Sequence, residues 1–374
     1  MKNKIKIYEI PIFRILILLV VFGTIMIYSS SQVYNIQNKG WDYDKLHLYK
    51  HISRLIISLI SLIIIYNMKI DWVEKYAKRI LYLSWIIMIW GYISTPDIDT
   101  VTTQRTLWIF GRPVFTTSDF ARLALIIYTA SFINKHKKNI KNFRITLIHI
   151  WPYIGTTLAL IFFQPDLSST FIIAAIIISM LLVAGLRILH LLSIVLFTSL
   201  ISAPIILYKY SYMLNRLLGW SSSFQADKAT EALANGKWFG VGIGNSELIY
   251  TLPAAYTDYI LAIIGEELGF ISIIILFIIF LYFYFEGIKI SKSANNIFSS
   301  MLALGITFNI FFYFLINSAY VIGLLPETGL AVPFISFGGS HTIFSFISVA
   351  LLMNISKYTN IYKNKYLNTN GVKY

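Results

Sequence analysis

Three carboxylates, Asp258, Glu266 and Glu267, fall in the stretch TLPAAYTDYILAIIGEELGF from Thr251 to Phe270, at the mouth of an apolar segment that continues to Phe285. A carboxylate at the water-facing end of a membrane span can take a proton from a hydroxyl, which is general-base chemistry. Deeper in the span an ionised group is costly unless it is paired or wet. Glu266 lies eight residues beyond Asp258, about 12 Å along a helix axis at roughly 1.5 Å per residue, so the three cannot share one role. Asp258 is therefore the candidate base, and Glu266 and Glu267 are read as structural or cavity-lining.

Other polar groups gather in neighbouring connections. In QPDLSST, Pro165 breaks a helix and Asp166 can cap the next one; Lys50 and Arg54, at the outer start of the second apolar run, are the cations available to pair with it. TTSDFARLAL sets Asp119 and Arg122 three residues apart on one helix face after a cap-like Ser118, which is equally well a local ion pair at a helix start. QRTLWIFGRP supplies Arg105, Trp108 and Arg112, a cationic and aromatic set suited to the interface or to an anionic headgroup. Arg216, Lys228 and the glycine-rich GKWFGVGIGNS lie in the 209–257 segment. Those glycines lack the Lys-Ser/Thr ending of a phosphate loop, which excludes a nucleotide site. In VPFISFGGSHT, Pro333, Gly338 and Gly339 break a helix beside the hydroxyls of Ser336 and Ser340; the plain alternative is a turn between helices.

The elements that must hold these groups are membrane helices. Of 374 residues, 57% are hydrophobic and only 13% charged, too little polar surface for a soluble chain of this size. Apolar runs near 12–32, 52–68, 80–95, 120–133, 145–163, 168–186, 188–208, 259–285, 300–324 and 342–356 predict an all-α polytopic membrane protein of ten helices in a single domain. Lys and Arg collect in every second loop, which places both termini in the cytoplasm and the large 209–257 loop, between spans seven and eight, outside. That topology absorbs most of the net charge of +14, so no nucleic-acid site is expected. The first apolar run is too long for a cleaved signal and should stay as a helix. With no cysteines and six scattered histidines, disulfides, thiolate metal sites and zinc chemistry are not supported, and no internal repeat points to a transporter.

Four motifs, TLWIFGRPVFTTSDFARLAL, FFQPDLSSTF, GVGIGNSELIYTLPAAYTDYILAIIGEELG and GLLPETGLAVPFISFGGS, stand in an order and spacing that resemble the SEDS family (shape, elongation, division and sporulation) of bacterial peptidoglycan polymerases over nearly the whole chain. GIGNS followed by AIIGEELG is more similar to the division branch than to the elongation branch. The resemblance implies a ten-span glycosyltransferase that polymerises lipid II on the outer face of the cytoplasmic membrane, in septal wall synthesis. It assigns the catalytic carboxylate to Asp258, the QPDL acid to Asp166, the acid and base of a QPxExxK-like helix to Asp119 and Arg122, and the C-terminal glycine motif to Gly338, Gly339 and Ser340. The chain departs from the family pattern at Ala254 and Tyr256, where an acid and a histidine are usual, at Thr116 and Thr117, at Asp119 and Arg122, which replace Glu and Lys, and at His341.

Such a reaction joins a sugar hydroxyl to an anomeric carbon whose leaving group is a polyprenyl diphosphate. It needs a base at the acceptor and cations at the departing group. Asp258 is the expected base, with inversion at the anomeric centre, and Arg105, Arg122, Arg216 and Lys228 are the expected cations, in that order. A divalent cation, magnesium or manganese, could assist without a dedicated cage. The resemblance further implies a class B penicillin-binding transpeptidase and divisome membrane proteins as partners. Three other readings stay open: an elongation polymerase, a lipid II flippase, and a division scaffold without chemistry.

Overall fold

Apolar side chains point outward in this protein. Along the helix Leu46–Asn67, Ile52, Ile56, Ile60 and Ile63 are exposed, while His51, Ser58, Leu62 and Tyr66 are buried. A helix in water shows the reverse pattern, so this outer face is built for hydrocarbon. The computed structural model describes residues 10–39, 45–95, 105–142, 144, 148–193, 224–252, 255–357 and 359.

The elements run α1 (Pro11–Lys39), α2 (Leu46–Asn67), α3 (Ile70–Ser94), β1 (Thr106–Ile109), β2 (Arg112–Thr116), α4 (Thr117–His136), α5 (Trp151–Phe163), α6 (Leu167–Val183), α7 (Phe224–Gly236), α8 (Leu248–Thr251), α9 (Ile260–Leu268), α10 (Phe270–Ser293), α11 (Ile297–Val321) and α12 (Ser340–Ser356). Among the described residues, four helices are long and apolar enough to cross a membrane: α1 over Pro11–Gln32, α2, α10 and α11. α5, α6 and α12 are apolar but shorter. Several such helices make this a multi-pass membrane protein.

α4, α11 and α12 are buried along most of their length and form the centre. α2 packs on α12, α3 on α4, α10 on α11, and α6 against both α4 and α11. One end of the α2–α12 pair is tied by Asn354, whose amide nitrogen lies within hydrogen-bond distance of the carbonyls of Ile65 (2.9 Å) and Tyr66 (3.1 Å) at the end of α2 and of Met68 (2.6 Å) just beyond it.

Two expectations change. The connection between the third and fourth predicted spans is not all loop, because β1 and β2 pair antiparallel into a hairpin, so the chain is not strictly all-α. The apolar run 259–285 is not one helix: it breaks at Gly269 (φ 79, ψ 174) into α9 and α10. The break has a packing cause, since the strip Lys237–Gly242 lies across it. Phe270 N donates to Lys237 O (2.8 Å), and Val241 N and Gly242 N donate to the Glu266 and Glu267 carbonyls (2.9 Å each). The glycines of GKWFGVGIGNS serve this approach: Gly240 has φ 80, and a Cβ there would fall on the Glu267 carbonyl group. Most of the predicted seventh span, from residue 194 onward, lies outside the described residues.

Candidate functional site

After α11 the chain turns at Ile322–Gly323 and runs back into the protein, where Leu330, Val332, Phe334, Ile335 and Ser336 are buried. This segment has its own polar closure. Val332 N donates to Ser336 Oγ (2.8 Å), and Ser336 N donates to Val332 O (3.0 Å). It crosses α1 at Gly23, where a Cβ would stand 2.5 Å from Phe334 O. Phe334 holds φ 68, a left-handed conformation that is rare for an aromatic residue and common at functional sites. Ser340 then opens α12, accepting from Thr116 N (3.0 Å) and donating to Asp119 Oδ2 (2.7 Å).

Asp258 lies against this segment, half-buried, two residues before α9. Its carbonyl accepts from Asn317 Nδ2 (2.9 Å) and from the Tyr320 hydroxyl, both on α11. The same Asn317 amide donates to Leu330 O (2.6 Å) and to the Tyr320 oxygen (2.7 Å). One buried side chain therefore fixes the backbone of Asp258 to the returning segment. A Cβ on Gly329 would be 3.5 Å from Asp258 Oδ2, so the carboxylate faces a position where glycine keeps space open. Just upstream, Tyr256 O accepts from Phe337 N (3.2 Å), and the Tyr256 hydroxyl lies 3.0 Å from His47 Nε2 on α2.

The residues at the start of α4 form a second buried network. Arg122 pairs with Asp119 (3.2 Å), donates to the Tyr313 hydroxyl and lies 4.2 Å from that ring's centroid; His341 packs on the other ring contact of Tyr313 at 5.1 Å. Its neighbour Ser118 donates to Asp166 Oδ2 (2.9 Å), and Asp166 Oδ1 accepts from Ser169 N (3.2 Å), which is the expected helix cap. Lys50 and Arg54 are not the cations at Asp166. Arg105 is, at 3.5 Å, because the QPD turn abuts the base of the hairpin, where Thr117 donates to Arg105 O and to Gln164 Oε1 (3.0 Å). Lys50 is exposed and Arg54 lies over the Phe337 ring.

Glu266 and Glu267 have separate partners. Glu266 accepts from Ser246 Oγ and Leu248 N (3.2 Å), holding the loop before α8. Glu267 accepts from Ser29 Oγ at 2.9 Å, joining α1 to the broken span. Lys228 is paired with Glu231 within α7 (2.6 Å), and Arg216 and Ala254 lie outside the described residues. Sequence reasoning missed His47, His51, Tyr313, Asn317 and Tyr320. Asn317 was the legible one, a carboxamide in an apolar span where polar side chains have to find partners.

The chain matches the cell cycle protein family of FtsW, RodA and SpoVE over residues 10–361. It is 30% identical over 370 residues to a probable peptidoglycan glycosyltransferase FtsW of Trichlorobacter lovleyi, covering 93% of each chain. It is also 30% identical to stage V sporulation protein E of Bacillus subtilis, covering 92% of this chain and 96% of that one. In fold it is similar to a chain of a solved peptidoglycan synthase complex that coordinates polymerization and crosslinking, with a TM-score of 0.73 at 16% identity over 96% of this chain and 99% of the other.

Proposed function

Because the chain belongs to the cell cycle protein family of FtsW, RodA and SpoVE, we propose that it is a peptidoglycan glycosyltransferase that polymerises lipid II at the outer face of the cytoplasmic membrane, for the division septum. The observation that carries this reading is the setting of Asp258: a half-buried carboxylate with its backbone pinned by Asn317 and Tyr320 and its oxygens facing Gly329. Such a group can accept the proton of an acceptor hydroxyl while the hydroxyl oxygen attacks the anomeric carbon of the donor. The bond to the polyprenyl diphosphate breaks with inversion, and the diphosphate leaves with its electron pair. Holding the base on a fixed backbone lowers the entropy lost in aligning the two sugars. The Asp119–Arg122–Tyr313 and Asp166–Ser118 networks hold α4, α6, α11 and α12 around that space.

The same proposal takes ten spans with both termini cytoplasmic and residues 209–257 outside. It takes a class B penicillin-binding transpeptidase and divisome membrane proteins as partners; the transpeptidase is supported by the likeness to a synthase complex. Among the described residues no cluster of three His, Cys, Asp or Glu side chains could cage a metal. A magnesium or manganese ion therefore enters this reading only as a counter-charge on the diphosphate, and no step runs through it.

Purified protein with its cognate transpeptidase should polymerise lipid II, and Asp258→Ala should lose roughly a hundredfold or more of that activity with expression intact. Undiminished polymerisation by Asp258→Ala would falsify the assignment. A flippase would instead keep moving lipid II in the Asp258→Ala variant and make no glycan in the wild type.

A further inference from the structure

A leaving diphosphate needs cations, and the described ones nearest the candidate site are already engaged. Arg105 faces Asp166, Arg122 faces Asp119, and Lys228 faces Glu231. Arg54 differs. It projects from α2 so that its guanidinium carbon lies 4.6 Å from the centroid of Phe337 and 3.8 Å from where a Cβ on Gly339 would stand. No carboxylate pairs with it among the described residues, and its buried Nη1 has no hydrogen-bond partner there.

One turn earlier on the same face is His51, only 1% exposed, and neither of its ring nitrogens has a partner among the described residues. Its ring lies 6.4 Å from Phe337. Buried polar atoms are satisfied in the great majority of cases, because one left without a partner has lost its water and gained nothing in exchange. Three such nitrogens on adjacent turns, with the side-chain-free backbone of Gly339 opposite Arg54, describe a place prepared for an acceptor that no described residue supplies. The acceptor must be anionic, since it has to match a guanidinium; an imidazole N–H can donate to it as well. The outer face of the same turns, Ile52 and Ile56, is exposed and apolar, so a hydrocarbon chain can lie against α2 while its head group reaches the inner face.

We propose that the His51–Arg54 face of α2, closed by Phe337 and Gly339, binds the diphosphate of a polyprenyl-linked molecule. The naming of the polyprenyl chain rests on the glycosyltransferase reading; the anion site rests on the unpartnered nitrogens. Phe337 links the two regions. Its ring carries Arg54 on one side, and its amide holds Tyr256, two residues before Asp258. The arrangement puts the departing group and the base on either side of one aromatic residue.

The test is direct binding to the full chain in nanodiscs, read by calorimetry with three probes: farnesyl diphosphate, inorganic diphosphate and farnesol. Farnesyl diphosphate should bind, inorganic diphosphate should compete with it, and farnesol should do neither. Arg54→Gln should weaken farnesyl diphosphate at least about tenfold, the scale of one charged hydrogen bond. His51→Leu should weaken it by a smaller factor, and Arg54→Lys should fall between wild type and Arg54→Gln because it keeps the charge and loses the fork. If Arg54→Gln does not fold, Arg54→Lys and His51→Leu decide by the same readout. Unchanged affinity in folded variants, or farnesol binding as tightly as the diphosphate, overturns the site. Asp258→Asn should bind the probe normally, so a failed glycosyltransferase assay and a failed anion site are separate results.

Discussion

The Asn317 amide nitrogen lies within hydrogen-bond distance of three acceptors, Asp258 O, Leu330 O and the Tyr320 oxygen, and shares its two hydrogens among them. Asn317 itself has no exposed surface. Truncation to alanine would leave Asp258 O to the Tyr320 hydroxyl alone and take the close donor from Leu330 O, at about 1–3 kcal/mol for a buried group left dry. Asn317→Ala should therefore lower the thermal unfolding temperature in detergent by several degrees. It should also depress polymerisation at saturating lipid II although Asp258 is untouched. Tyr320→Phe, which removes one donor to the same carbonyl, should do the same to a lesser degree. A variant that melts as wild type does and retains full activity would show that the backbone at Asp258 is held by something else. At this scale the sequence was informative about type and silent about partners. Asp258, Asp119, Arg122 and Asp166 all stand in polar settings, yet Asp166 pairs with Arg105 and not with Lys50 or Arg54. Which cation reaches a carboxylate depends on how the hairpin folds back, and no spacing along the chain encodes that.

The break between α9 and α10 is the clearest case of an element decided by tertiary packing. Hydropathy sees a continuous apolar run, and a hydropathy profile has no way to register a strip of backbone lying across it. The strip was visible as a glycine cluster, but the use of the glycines was not. Two of them now give opposite predictions. Gly240 has φ 80 and would drive a Cβ into the Glu267 carbonyl; Gly244 has φ 83 with nothing within 4 Å. Gly244→Ala should cost only the left-handed penalty, about 1–2 kcal/mol. Gly240→Ala adds a backbone clash to that penalty, so it should cost clearly more and loosen the loop held by Glu266. Unfolding midpoints of the two variants in one detergent decide the matter: equal losses would mean that the strip does not dock on α9 as described. The helices outside this region were legible to within a few residues at most ends, α4 at Thr117–His136 against a predicted 120–133 and α12 at Ser340–Ser356 against 342–356. Long apolar helices depend on composition, which a single sequence records.

At the scale of the molecule, the distribution of charge and the position of the site make one joint demand. Everything assigned to chemistry, Asp258, the hairpin base, the QPD turn and the segment before α12, has to lie at the outer membrane face, and the basic turn after α4 at the inner one. α4 is the shortest path between the two. It has 20 residues, about 30 Å at 1.5 Å per residue, the thickness of the hydrocarbon layer. Its two ends carry labelling sites that touch little else. Phe110 at the hairpin tip is fully exposed, and Lys138 lies exposed in the turn after α4. The chain has no cysteine of its own, so a single introduced thiol reports without background. Phe110→Cys should react with a membrane-impermeant maleimide in intact spheroplasts. Lys138→Cys should react only after permeabilisation, and Trp238→Cys, in the exposed glycine strip against the end of α9, should behave as Phe110→Cys does. Labelling of positions 110 and 138 from the same side would remove the membrane from between the ends of α4. Labelling of 238 from the inside would separate the glycine strip from the face where an extracytoplasmic sugar substrate is available.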